Sequence, residues 1–208
     1  MYSIDLTVPD AERTLVLNLG ARWHQKYAVW YVPRTLNAQP LGRWLTARAF
    51  PNARSNSLWL ARVLGTCPWC ENSITLHGLI LPAGHRTLCP ADEPSEDVWE
   101  VAEEPSQLFE IEYLSDTLQA ALEVHAPTYR LAYSPLLERF CWLNHCRHCR
   151  GLIEDDDCAL DVGSPLNPLD ESMAARIVLQ EIRVEFEASC ARYSCGVQFL
   201  EAMARTGT

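Results

Sequence analysis

Two cysteine doublets of identical spacing, Cys67-Pro68-Trp69-Cys70 and Cys146-Arg147-His148-Cys149, constrain this chain more than any other feature. Two thiolates at C-x-x-C spacing grip one metal ion from a tight turn, and two such turns complete a tetrahedral set of four sulfurs. That set leaves no coordination position for water or substrate, so the expected role is structural. The spacing predicts one Zn2+ held by Cys67, Cys70, Cys146 and Cys149. The 75 residues between Cys70 and Cys146 exceed the spacer of a simple two-turn site, so tertiary structure must bring the doublets together.

Other readings of the cysteines are weaker. A redox role for either doublet lacks a thioredoxin-like strand–motif–helix context. His145 and His148 flank the second doublet and offer an alternative nitrogen ligand. Cys89, Cys141, Cys158, Cys190 and Cys195 have no ligand spacing among them and read as small buried apolar residues. Nine cysteines is an odd number, which fits a disulfide framework poorly.

The 208 residues and 48% apolar content allow a real hydrophobic core. No stretch approaches the roughly 20 apolar residues of a membrane span. The start, Met1-Tyr2-Ser3-Ile4-Asp5, lacks a secretory profile, which predicts a cytoplasmic protein. The net charge of -10 is uneven: residues 1–62 hold eight Lys/Arg and three Asp/Glu, leaving nine and 24 for the remainder. From Thr87 to Tyr129 there are eleven acidic side chains and no Lys or Arg. Such asymmetry suggests parts with different partners.

The pattern predicts an α+β fold in two parts. Residues 1–46 read as a small basic β-α-β-β module, 47–57 as a linker, and 58–208 as an acidic mixed α+β domain stapled by the four cysteines. In the module, Ser3–Val8 alternates as a strand. Asp10 is placed to cap a helix presenting Ala11, Leu15 and Leu19, and Gly20 suits its left-handed end. Arg22–His24 and Ala28–Val32 follow as strands, and Pro40–Leu45 as a helical turn. Beyond the linker, Leu58–Leu64 leads into the first doublet, and a hairpin around His77-Gly78 leads away. Val98–Ala102 and Phe140–Leu143 read as strands, and Ser115 caps a helix over 116–125 with Leu118, Ala121, Leu122 and His125 on one face. Glu154–Asp157 marks an exposed turn. A helix over 170–181, a strand over 184–188 and a closing helix over 196–205 complete the reading.

The segments Asp5-Leu6-Thr7-Val8-Pro9, Leu19-Gly20-Ala21-Arg22-Trp23, Trp30-Tyr31-Val32-Pro33 and Leu41-Gly42-Arg43-Trp44-Leu45 together resemble a bacterial domain-of-unknown-function family, number 5710. Members are fused to conjugative plasmid primases and other DNA-handling proteins, so the resemblance implies proximity to nucleic acid. It covers about residues 2–47 and departs at Trp23-His24, where the family usually has Trp-Asp. Residues 58–205 resemble an uncharacterised zinc-ribbon-like partner domain, on Thr66–Cys70, Asn144–Cys149 and Glu185–Ala188, which implies no activity.

These features favour a non-catalytic zinc protein acting as a protein-interaction or regulatory factor, such as an inhibitor or adaptor. Its acidic domain suits a basic protein partner. The alternative is an accessory protein contacting single-stranded DNA or RNA within residues 1–62, through Arg22, Trp23, Lys26, Tyr27, Tyr31, Arg34 and Arg43. Aromatic faces there would stack on bases while cations follow the phosphates. The competing reading is that Trp23, Trp30 and Trp44 form the module's core. A nuclease-like or other metal-dependent enzyme is the third option. His77, His85 and His125 are scattered, however, and no phosphate-cradling loop or nucleophile elbow is present.

Overall fold

The computed structural model describes residues 4–25, 28–33, 36, 39–44, 51–89 and 98–206. The chain runs β1 (Ile4–Leu6), α1 (Arg13–Asn18), β2 (Arg22–His24), β3 (Val29–Val32), β4 (Ala53–Ser55), β5 (Leu58–Thr66), β6 (Ser73–Leu81), β7 (Arg86–Cys89) and β8 (Val98–Val101). It continues through β9 (Ser106–Leu114), α2 (Asp116–His125), β10 (Tyr129–Ser134), β11 (Arg139–His145), β12 (Leu152–Ile153), α3 (Glu171–Ala174), β13 (Val178–Ile182), β14 (Phe186–Tyr193) and β15 (Ala204–Thr206). The result is a mixed α+β fold, richer in strand than in helix, with a four-cysteine cluster.

Among the described residues, three sheets organise it. The N-terminal strands pair antiparallel in the order β1-β3-β2, and β10-β11-β12 form a second antiparallel sheet. The third has nine strands in the order β15-β13-β5-β6-β9-β14-β4-β7-β8. Among the described residues, its β13–β15 pair alone is parallel. One apolar cluster joins Leu6, Val16, Val32, Leu41 and Trp44 to Leu58, Leu79, Leu114, Leu118, Leu131 and Trp142. A second surrounds the metal-ligand candidates, with Val63, Leu76, Ile80, Ile153, Ala174, Ile177 and Leu179.

The first elements follow in the order β1, α1, β2 and β3, and Gly20 holds φ +94° behind the first helix. Several local expectations are corrected. Asp10 does not cap α1; it opens a 3-10 turn and pairs with Arg13 at 2.6 Å. Leu15 is exposed, and Val16 is the residue that α1 buries. Ala53–Ser55, expected in the linker, is β4, because Asn52 clamps it: the Asn52 side chain donates to the Cys190 carbonyl at 2.7 Å and accepts from its N–H at 3.0 Å.

No hairpin turns at His77-Gly78. β6 runs straight through, and a Cβ at Gly78 would meet Gln107 and Leu166 at 3.4 Å, so the glycine serves close packing. The expected helix over 170–181 is the single turn α3, capped by Asp170 Oδ1, which accepts from the Met173 N–H at 2.8 Å. From Val178 the chain then extends as strand, where branched side chains pack well. The closing helix is only a 3-10 turn over Leu200–Ala202 followed by β15. Asp155 is buried rather than on an exposed turn, accepting from the Glu110 N–H at 2.6 Å. His125 lies on the exposed side of α2, in hydrogen-bond contact with Gln180 at 3.0 Å.

Candidate metal centre

Each cysteine doublet sits at the tip of a β-hairpin. The β5–β6 ladder ends at Thr66 opposite Ser73, so residues 67–72 make the first turn. The β11–β12 ladder ends at His145 opposite Leu152, so residues 146–151 make the second. The two turns share one design. Cys67 N–H donates to the Asn72 carbonyl and Glu71 N–H to the Cys67 carbonyl, both at 2.9 Å. Cys146 N–H donates to Gly151 and Arg150 N–H to Cys146, again at 2.9 Å. The residue after each second cysteine is left-handed, Glu71 at φ 59° and Arg150 at φ 63°.

The turns face each other and bring all four sulfurs within 4.8 Å of one another. Cys67 Sγ lies 3.7 Å from Cys149 Sγ, and Cys70 Sγ 3.6 Å from Cys146 Sγ. A disulfide needs about 2.05 Å, and the eight cysteines with described side chains are all free. Four sulfurs at about 2.3 Å from a central ion would stand roughly 3.8 Å apart as tetrahedron edges. The donor set fits a metal ion. His145 is outside it: its Nδ1 contacts the Leu143 carbonyl at 2.9 Å. His148 contributes its backbone, whose N–H points at Cys146 Sγ at 3.3 Å.

The turns prepare the sulfurs to be anionic. The Asn72 side-chain amide, then the Asn72 backbone, lowers the Cys70 thiol to about 6. Cys146 is also held below its ordinary range, first by the Cys149 N–H. Cys149 moves the other way: the Gly151 N–H pulls it down, but desolvation and the other three sulfurs together push it up to about 12. Four thiols this close cannot all ionise without a cation among them, and a bound metal removes that penalty.

Sequence reasoning missed three supports. Asn72 donates to Cys70 Sγ at 3.3 Å. Trp69 donates from Nε1 to the Leu152 carbonyl at 2.6 Å and so ties one turn to the other. Gly151 makes room for that indole, since a Cβ there would lie 2.4 Å from Trp69 Cδ1. The Trp inside one doublet and the Gly after the other were visible, but only contact gives them meaning.

The proposed nucleic-acid residues are only partly assembled. Arg22 and Tyr31 are directly opposite on β2 and β3, and the His24 ring lies 6.0 Å from that of Tyr31. Trp23 pairs with Trp30 on the other face, ring centres 5.6 Å apart. Arg43 lies 4.0 Å over the Trp44 ring and pairs with Glu12 at 3.3 Å. Lys26, Tyr27 and Arg34 lie outside the described residues. Among the described residues no helix is long and apolar enough to cross a membrane. No curated protein and no solved structure matches the chain. Residues 3–46 do match a family model, described as Domain of unknown function (DUF5710), in agreement with the resemblance carried by the N-terminal motifs.

Proposed function

We propose that this chain is a non-catalytic, zinc-stabilised binding protein. The carrying observation is the sulfur quartet, whose 3.6 and 3.7 Å separations suit a tetrahedral ion. Four thiolates favour soft metals, and zinc is the one that needs no redox chemistry. With all four positions taken by protein, the ion supplies stability and its ligands keep no place for substrate. Thiolate ligands also suit a reducing compartment such as the cytoplasm.

The binding partner in this reading is a basic protein. Strand β8 ends the nine-stranded sheet, exposes Val98 and Val101 at 57% and 59%, and is followed by exposed Glu103 and Glu104. An edge strand with apolar side chains and acidic neighbours suits an added strand bearing Lys or Arg. The nucleic-acid reading has its own support in the Arg22–Tyr31 pair of the N-terminal sheet.

Elemental analysis of the purified protein should give one zinc per chain, and Cys146→Ser should lose it with a large fall in stability. A metal-free wild-type protein of equal stability ends the zinc reading. A protein partner retained from the native host should be released by Val101→Lys, which blocks strand addition. Undiminished retention would place that partner elsewhere.

A further inference from the structure

Trp69 is 67% exposed and yet fixed in place. Its Nε1–H is held by the Leu152 carbonyl, and one side of the ring rests on Gly151. An aromatic ring immobilised in advance loses little further freedom when a flat group packs on its open side. The same tip exposes Arg147 and Arg150 from the facing turn.

These two arginines differ from half of the other fourteen in the protein. Arg13, Arg43, Arg54, Arg139, Arg183, Arg192 and Arg205 are all in ion pairs. Arg147 and Arg150 are in none among the described residues; Arg147 Nε only donates to His148 Nε2 at 3.2 Å. Arg150 also holds φ 63°, a conformation that glycine adopts at lower cost, so the turn itself gives no reason for arginine. One local role is to offset the double negative charge of a zinc tetrathiolate. That role leaves the open ring of Trp69 unexplained.

We propose that this metal-held tip contacts single-stranded nucleic acid, a base stacking on Trp69 while Arg147 and Arg150 take adjacent phosphates. A stacking platform beside two cations is the physical requirement for such strands. An acidic peptide would use the arginines and leave the ring idle. The net charge of -10 does not forbid the contact, because at physiological salt distant charges are screened beyond about 8 Å. The site lies outside the basic N-terminal residues, and it rests on the metal reading of the four cysteines.

The test is fluorescence anisotropy of short labelled oligothymidylate and its RNA counterpart, titrated with zinc-loaded full-length protein. Two phosphate contacts at a slope of about 0.7 each predict roughly sevenfold weaker binding from about 50 to 200 mM salt. Arg147→Ala combined with Arg150→Gly should remove that salt dependence while keeping zinc, since Arg150→Gly relaxes the turn. Trp69→Ala should weaken binding at least about fivefold, and Trp69→Phe should keep part of it. Binding of either strand type with these losses supports the proposal. No binding at low salt, or variants with wild-type affinity, overturns it. So does a double variant that loses zinc, or full competition by polyglutamate with Trp69→Ala unaffected. Zinc is measured in every sample: strand binding through Trp69 by a naturally zinc-free preparation would refute the metal reading alone.

Discussion

Asn144 uses both ends of its side-chain amide on one residue. The His77 N–H donates to Asn144 Oδ1 at 2.8 Å, and Asn144 Nδ2 donates to the His77 carbonyl at 2.9 Å. Asn144 is 1% exposed, so this pair substitutes for strand pairing between β6 and β11 in a place closed to solvent. Asn144→Ala would leave two buried backbone groups without partners, at about 1–3 kcal/mol each. Chemical denaturation of the metal-loaded protein should show a loss of about 2–5 kcal/mol. An unchanged midpoint would mean that water takes both places. Nothing in Leu143-Asn144-His145 announces this role, because the partner is 67 residues away. The cysteines are the opposite case: the spacing of each doublet is itself the chemistry, and Cys67, Cys70, Cys146 and Cys149 were legible as one site from the chain alone. Asn72 and Gly151 were not, since Asn72 works by facing the Cys70 sulfur and Gly151 by facing the Trp69 indole across the tip.

Elements were legible where one segment carries its own pattern. The helix α2 follows Ser115 and buries Leu118 and Leu122, four apart on one face. Its other face is solvent, and Val124 is 75% exposed there. Leu122→Ala should therefore cost about 2–5 kcal/mol, while Val124→Ala should stay within about 0.5 kcal/mol. Thermal melts of the two variants side by side check this, and equal losses would mean that α2 docks by another face. Elements misread from sequence were those decided by neighbours. Gly78 looked like a turn residue but lies in mid-strand, because β6 is hydrogen-bonded to β5 through Gly78 and Gln107 and Leu166 press against it. The stretch after Asp170 has helical spacing in Met173, Ala174 and Ile177, yet Val178–Ile182 pairs with Leu58–Arg62 along five residues. A ladder and a buried face outweigh weak helical periodicity there.

At the scale of the whole molecule, two buried groups tilt stability in opposite directions between about pH 4 and 6.5. Burial, against the opposing Glu110 N–H, raises Asp155 from 3.8 to about 6. The folded protein then binds more protons than the unfolded chain, so this contribution is full below pH 3.8 and is lost as pH rises through 6. Burial, reinforced by Arg62, lowers His77 from 6.5 to about 4. Here the unfolded chain binds more protons, so the contribution is full above pH 6.5 and is lost as pH falls toward 4. Each shift is of order two units at about 1.4 kcal/mol per unit, so the two contributions nearly cancel in the native protein. Asp155→Asn removes the falling limb, and its stability relative to wild type should climb with pH across the window. His77→Gln removes the rising limb, and its relative stability should decline over the same range. Urea denaturation at each pH gives both differences, and subtraction of wild type cancels the titration of surface carboxylates and thiol ligands. Two flat difference curves would mean that neither group changes its proton affinity on folding, and that water reaches Asp155 and His77 despite the strands packed over them.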